Sequence, residues 1–350
     1  KPLRLAPKPE KYPQNSNNLK SPLHDSPNKV RRLGTSTRQV NPNPPTQIHQ
    51  HAPPVGHRRE PAQRGFGVLL SVGVCHKVDM TIARYAPATL SNLGPGFDCL
   101  GMALDIWNTV HVEEGSSGLE IRGEGKSELP QGRTNLVYKS FRIPFQESGR
   151  QVPKVSITCE NVVPLGRGLG SSSAAVVAGL VAGNELCGRP LGTSELLALA
   201  SKAEGHPDNV AATLLGGCQI IVQDGPRLIT ASVPVPEDLQ AVVFVPEVPM
   251  PTKHARSVLP SRVSRRDAVY NMGRVGLLVN ALSTGDFTHL GVTTDDRLHQ
   301  PARQTIFPAM KNIFQAARDA GALGVFLSGA GSSVLALTSS REMTIGYEMA

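Results

Sequence analysis

Apolar and polar positions alternate in short runs from residue 81 onward. Residues 81–86 and 104–112 follow this period of two and predict strands, as do 119–122 and 154–160. At residue 171 the pattern changes. Residues 171–186 are small or apolar on nearly every side, which predicts a buried helix ended by Gly188 and Pro190. Residues 194–204 predict a second helix, and a short one runs from Pro207 through Leu214. Further on, 219–223 and 239–245 predict strands, 266–282 and 307–320 helices, and 324–327 with 333–337 a strand pair about a glycine turn. A helix should follow Asn135, but Arg142 and Pro144 predict that it is broken. Strands and helices mix without regular βαβ alternation, which predicts an α+β fold.

Residues 1–79 show no such period. They hold 12 of the 29 prolines, and 13 Lys/Arg against 4 Asp/Glu. A segment of this kind cannot bury enough surface to offset its ordering entropy, so it reads as a disordered leader, with Met80 as a candidate initiator. The formal net charge of +8 also sits there, because the remainder carries 23 basic against 24 acidic residues. A nucleic-acid partner for the body is therefore not expected. Cys75, Cys99, Cys159, Cys187 and Cys218 are odd in number, widely spaced and without a C-x-x-C. That argues against a disulfide framework or structural zinc and for a reducing, cytoplasmic setting. No apolar run approaches the roughly 20 residues of a membrane span, so no membrane partner is expected.

Candidate chemistry concentrates just before the buried helix. Pro164, Leu165, Gly166, Arg167, Gly168, Leu169 and Gly170 lead into Ser171, Ser172, Ser173 and Ala174. Alternate glycines let the backbone take positive φ and approach a ligand closely. The helix N-terminus adds unpaired N–H groups and the positive end of the dipole, which suits a polyphosphate. No G-K-[ST] follows, so this is not a Walker loop. A glycine turn before a buried helix would carry the same letters, so the loop alone leaves both options open.

Three other segments narrow the choice. In 86–101 the turn of Gly94, Pro95 and Gly96 sets Asn92 and Asp98 on either side, where an amide and a carboxylate could grip a hydroxyl and an ammonium; an Asx-rich turn is the plainer option. In 204–211, Glu204 suits Mg²⁺ beside a phosphate loop, while Asp208 or Asn209 could instead cap the short helix. The S-G-A-G-S-S of 328–333 is either a tight hairpin turn or a backbone shelf closing a site.

Together these segments make residues 80–340 resemble the homoserine kinase family of the GHMP kinase superfamily. The glycine–serine loop marks the superfamily. The pairing of A-P-A-T-L-S-N-L-G-P-G-F-D-C-L-G at 86–101 with E-G-H-P-D-N-V-A at 204–211 points to the homoserine branch. The resemblance implies a two-domain fold: an N-terminal α/β phosphate-loop domain, here 80–235, and a C-terminal ferredoxin-like domain, here 236–350. It implies ATP held by residues 164–174, and Mg²⁺ held by Ser172 and Glu204. Asn92, Asp98, His206, Asp208, Asn209, Thr252, Arg256 and Arg303 would line an L-homoserine pocket, with Asp208, Asn209 and Arg256 closest to the chemistry. The implied reaction moves the γ-phosphoryl group of ATP to the homoserine hydroxyl, on the route to threonine. A homodimer is left open. Relatives usually continue past the last strand pair with a helix and a strand, so the C-terminal domain is expected to stop short at Ala350. Two other readings stand beside this one: a different GHMP small-molecule kinase, and a non-catalytic ATP-binding relative.

Overall fold

The computed structural model describes residues 81–350. The leader and Met80 lie outside the described residues. The first half holds β1 (Thr81–Asn92), β2 (Gly96–Glu114), β3 (Gly118–Gly123), α1 (Leu136–Glu147), β4 (Val155–Asn161), α2 (Ser171–Leu186), α3 (Thr193–Glu204), α4 (Asp208–Leu215), β5 (Cys218–Asp224) and β6 (Arg227–Val233). The second holds β7 (Gln240–Phe244), α5 (Thr252–Ser257), α6 (Arg265–Thr284), α7 (Leu290–Thr293), α8 (Gln300–Gln304), α9 (Met310–Asp319), β8 (Gly324–Leu327), β9 (Val334–Thr338) and α10 (Glu342–Glu348).

Six strands form one sheet in the order β3-β4-β2-β5-β6, with β1 also paired to β2. Only β3 and β4 run parallel. The other sheet is antiparallel, β7-β9-β8. One aliphatic cluster joins the two, from Ala88, Leu90 and Leu100 through Leu169 and Leu278 to Phe326 and Leu335. The α+β expectation holds.

Helix α2 is the centre of the first half. Ser173 to Asn184 is buried almost without a break. Gly179 and Gly183, one turn apart, lie against α1: a Cβ on either would collide with the carbonyl of Val137 or Phe141. The two helices thus touch backbone to backbone, which a side chain would prevent. The helix expected to be broken is continuous, with Pro144 inside α1. An interior proline costs about 3 kcal/mol. Here Val137, Phe141 and Phe145 are buried beside it, and the Ser148 N–H still bonds the Pro144 carbonyl, so packing outweighs the lost bond. A seven-residue helix, α10, follows the last strand pair, its Ile345 fully buried. Strand β6 has only Val233 buried, so its apolar signal is weak, and α5, α7 and α8 are too short to show a period.

Glycines in contrasting settings supply a test. Nothing lies within 4 Å of a Cβ added at Gly276 on α6, so Gly276→Ala should gain about 0.5–1 kcal/mol of helix propensity. At Gly183 the same change must push α1 away and should cost about 1–3 kcal/mol. Urea denaturation of both variants measures the two signs; a Gly183→Ala midpoint at or above that of the parent chain would contradict the contact.

Candidate active site

The phosphate-loop segment connects β4 to α2. Gly166, Gly168 and Gly170 have φ of 62°, 75° and 68°, the left-handed region in which glycine alone is unstrained. Space also requires them. A Cβ at Gly168 would strike the Ser328 carbonyl, and one at Gly170 the Thr89 hydroxyl. The shelf at 328–333 closes on the loop: Ser328 Oγ donates to the Gly168 carbonyl at 2.6 Å, and the Ser333 N–H to that of Arg167 at 3.0 Å.

A cavity of about 190 Å³ opens beside this junction. Gly166, Gly168, Gly170, Ser171 and Ser172 line one side, and Glu204 lies with them. Asn92, Asp98, His206, Asp208, Asn209, Thr252, Arg256 and Arg303 all line the same cavity. All eight expected pocket positions are therefore together, although they come from β1, β2, α4, α5, α8 and the connections between elements. Pro164, Leu165, Arg167, Leu169, Ser173 and Ala174 do not line it. Leu169, Ser173 and Ala174 are buried beneath the loop.

The acidic end begins at Glu204. Its Oε1 accepts from Ser172 Oγ, and from Ser173 Oγ at 3.0 Å. His206 Nε2 is 3.8 Å from the same oxygen, and its Nδ1 is 3.1 Å from Asp208 Oδ1. Burial works against the His206 imidazolium, but the hydrogen bond to Asp208 and the charges of Asp208 and Glu204 win, and its pKa is raised. Neither Asp208 nor Asn209 is the helix cap, a position Pro207 holds. Instead the Asn209 N–H donates to Asp208 Oδ1 at 2.7 Å. The Asn209 amide is oriented by two hydroxyls of β1: Thr89 donates to its Oδ1 at 2.8 Å, and its Nδ2 donates to Ser91 Oγ at 3.0 Å. The positions 89 and 91 share a face of β1, a strand that runs six residues past the 81–86 read from the sequence.

The other end is basic. Arg256 forms a bidentate pair with Asp98, Nη1 to Oδ2 at 3.0 Å and Nη2 to Oδ1 at 2.6 Å. This hydrogen bond, opposed by burial, raises the pKa of the guanidinium. Asn92 serves the turn that carries Asp98. Its Oδ1 accepts the Asp98 N–H and its Nδ2 donates to the Gly329 carbonyl, both at 3.0 Å, so one lone pair and one N–H remain for a ligand. Asn92 and Asp98 both have positive φ, 69° and 57°. Arg303 is almost wholly buried. Burial, and next the charge of Arg256, lower its pKa to about 10, which leaves it cationic at neutral pH. Both guanidiniums approach the Phe97 ring, Arg256 at 5.3 Å and Arg303 at 5.6 Å from its centroid. Sequence reasoning passed over Phe97 and Met250, aromatic or apolar letters with no chemical signal of their own.

The site therefore combines an anion-binding loop with a small chamber of separated charges. No group of three or more His, Cys, Asp or Glu side chains among the described residues could hold a metal alone. One carboxylate and one hydroxyl at the mouth of a phosphate loop do fit Mg²⁺ bound jointly with phosphate oxygens. No helix among the described residues is long and apolar enough to cross a membrane.

Comparison with known proteins gives this geometry relatives. The GHMP kinases N terminal domain matches residues 135–217, and the GHMP kinases C terminal domain matches 278–343. The chain is 44% identical over 265 residues to the homoserine kinase of Moorella thermoacetica, covering 75% of this chain and 90% of that one. It is 43% identical over 264 residues to the homoserine kinase of a Synechococcus species, covering 74% and 86%. The crystal structure of homoserine kinase from Cytophaga hutchinsonii superposes with a TM-score of 0.70 at 35% identity, covering 77% of this chain and 89% of that one. The mevalonate kinase of L. major, in complex with R-mevalonate, shares the fold at TM-score 0.61 and 18% identity. The chain belongs to the homoserine kinase family, within the GHMP kinases.

Proposed function

We propose that this protein transfers the γ-phosphoryl group of ATP to the hydroxyl of L-homoserine, giving O-phospho-L-homoserine for threonine synthesis. The observation that carries the choice of acceptor is the Asp98–Arg256 pair across the cavity, with Arg303 behind it. An α-amino acid brings one ammonium and one carboxylate. It can replace each partner of that pair, the ammonium facing Asp98 and the carboxylate facing the two guanidiniums, which bind carboxylates through paired N–H groups. An acceptor with only one of the two charges would leave Asp98 or Arg256 without its counterpart.

The triphosphate lies along residues 164–174, against the N–H groups of the loop and the first turn of α2. Ser172 and Glu204 would hold Mg²⁺ together with phosphate oxygens, and the ion would neutralise phosphate charge. Asp208, Asn209 and His206 orient the acceptor hydroxyl. Asp208 Oδ1 is engaged by the Asn209 N–H and faces His206, so its Oδ2 is left for the substrate. Phosphoryl transfer through a loose transition state depends on positioning and charge more than on a strong base. Asp208 therefore acts by orientation, Asn209 beside it, and Arg256 moves from Asp98 onto the substrate. The chain divides at 235/236, between the six-stranded and three-stranded sheets, with the cavity at their junction.

ADP release, measured with homoserine, mevalonate and galactose as alternative acceptors, tests the assignment. Homoserine alone should stimulate it; turnover of another acceptor with none on homoserine would sink the reading. Asp98→Asn keeps the shape and removes the charge that faces the ammonium. The loss of a charge-assisted bond predicts a fall in kcat/KM for homoserine of about 10- to 100-fold, with KM for ATP little changed. Steady-state kinetics with each substrate varied in turn would expose the opposite split.

A further inference from the structure

His299 is wholly buried and belongs to none of the expected site positions. It precedes α8, one helical turn before Arg303. Four backbone and side-chain bonds fix this corner through Asp296. Its Oδ2 accepts the N–H groups of His299 and Gln300 at 2.8 and 2.6 Å, and its Oδ1 accepts the Leu298 N–H and the Asn271 amide at 2.8 and 2.7 Å.

The imidazole itself faces three groups that allow one arrangement of protons. Besides Gly94 and Arg303, the buried Asp296 Oδ2 lies 3.7 Å from Nε2 and, as an acceptor, also favours the proton there. Nε2 is 2.7 Å from the carbonyl oxygen of Gly94, which can only accept. Nδ1 is 2.9 Å from Arg303 Nη1, which can only donate. So Nε2 carries the proton and Nδ1 offers its lone pair. Burial holds the ring in this neutral form and pushes its pKa down to about 4. On Arg303, Nη1 also donates to the Gly329 carbonyl at 2.6 Å, and Nε is 3.4 Å from the Ala255 carbonyl. Nη2 has no partner among the described residues, and Arg303 lines the cavity. The Phe97 ring packs tilted against His299, centroids 5.3 Å apart, on the same side that faces Arg256 and Arg303 at 5.3 and 5.6 Å.

We propose that His299 is a positioning residue: its Nδ1 lone pair holds one arm of the Arg303 guanidinium, leaving Nη2 aimed at the substrate carboxylate. The role given to that carboxylate rests on the homoserine reading above. A side chain of the usual kind at this place, carboxylate or amine, would fail for opposite reasons. A carboxylate would neutralise the guanidinium and weaken its hold on substrate, and an amine would repel it. A neutral acceptor fixes the guanidinium and leaves its charge for the ligand.

Two conservative variants separate this role from a merely structural one. In His299→Asn the amide oxygen can stand where Nδ1 stands, keeping the bond to Arg303 and giving up that to Gly94. In His299→Gln the amide nitrogen can stand where Nε2 stands, keeping Gly94 and giving up Arg303. The proposal expects KM for homoserine to rise about 10- to 100-fold in His299→Gln, and much less in His299→Asn, with kcat and KM for ATP within a few-fold of the parent. The reverse order, or equal effects, would overturn it. A second measurement needs neither variant folding nor substrate: the ring ¹⁵N shifts of His299 in the unliganded full chain. A neutral Nε2–H ring from pH 6 to 8 is expected, and an Nδ1–H ring or an imidazolium overturns the proposal. Failure of the parent chain to phosphorylate homoserine would defeat the substrate reading alone, because the ring shifts still decide the state of His299.

Discussion

The contact between two backbones, residues 166–170 and 328–333, is the constraint on which the site depends. Gly168 has no side chain, so the Ser328 carbonyl can sit where a Cβ would be. Gly329 then becomes a meeting point. Its N–H reaches the Ser91 carbonyl at 3.2 Å, and its own carbonyl accepts from both Asn92 and Arg303. Two successive peptide groups, on either side of the Gly329 Cα, thus tie together the end of β1, the phosphate loop and α8. Each of those segments brings part of the cavity, so a shift in this junction would move the phosphate side and the acceptor side together.

Charge is distributed across that junction with a clear polarity. Glu204, His206 and Asp208 stand near the first turn of α2, where a cation and a hydroxyl would have to be handled. Arg256 and Arg303 stand at the far side and share the Phe97 ring. The two guanidiniums repel, which is part of why the Arg303 pKa falls. Asp98 relieves that repulsion in the unliganded protein, as a bound carboxylate would in its place. The Asp98–Arg256 pair is about one-third exposed on each side, so exchanging it for substrate charges involves no deeply buried ion.

Much of the frame is legible in the sequence, for physical reasons that can be named. Ser171–Leu186 was readable because a buried helix needs small and apolar residues all round, and the glycines before it because only glycine takes those φ values freely. In the first sheet β3, β4 and the last part of β2 follow a period of two. The α1 reading failed because Pro144 is a local signal, and the packing of Phe141 and Phe145 that overrides it is not local. The site was legible in its membership and much less in its bonding. Asp98 and Arg256 are 158 positions apart, and nothing in either segment says that they pair. His299 was missed altogether: its partners, Gly94 and Arg303, are joined to it only by the fold, and a buried histidine has no period or spacing to mark it.

Helix α5 has six residues, and Thr252, Lys253 and His254 are exposed while Ala255 alone anchors it in the core. Both Thr252 and Arg256 reach the cavity from this small element. The phosphate loop is instead seated on the buried helix α2, with Leu169, Ser173 and Ala174 in the core beneath it. Two of the groups that face the acceptor thus stand on a small exposed element, whereas Arg303 and Asp208 are held in buried surroundings. A substitution on this short surface helix can therefore alter the acceptor side of the cavity without disturbing the helix that presents the phosphate loop.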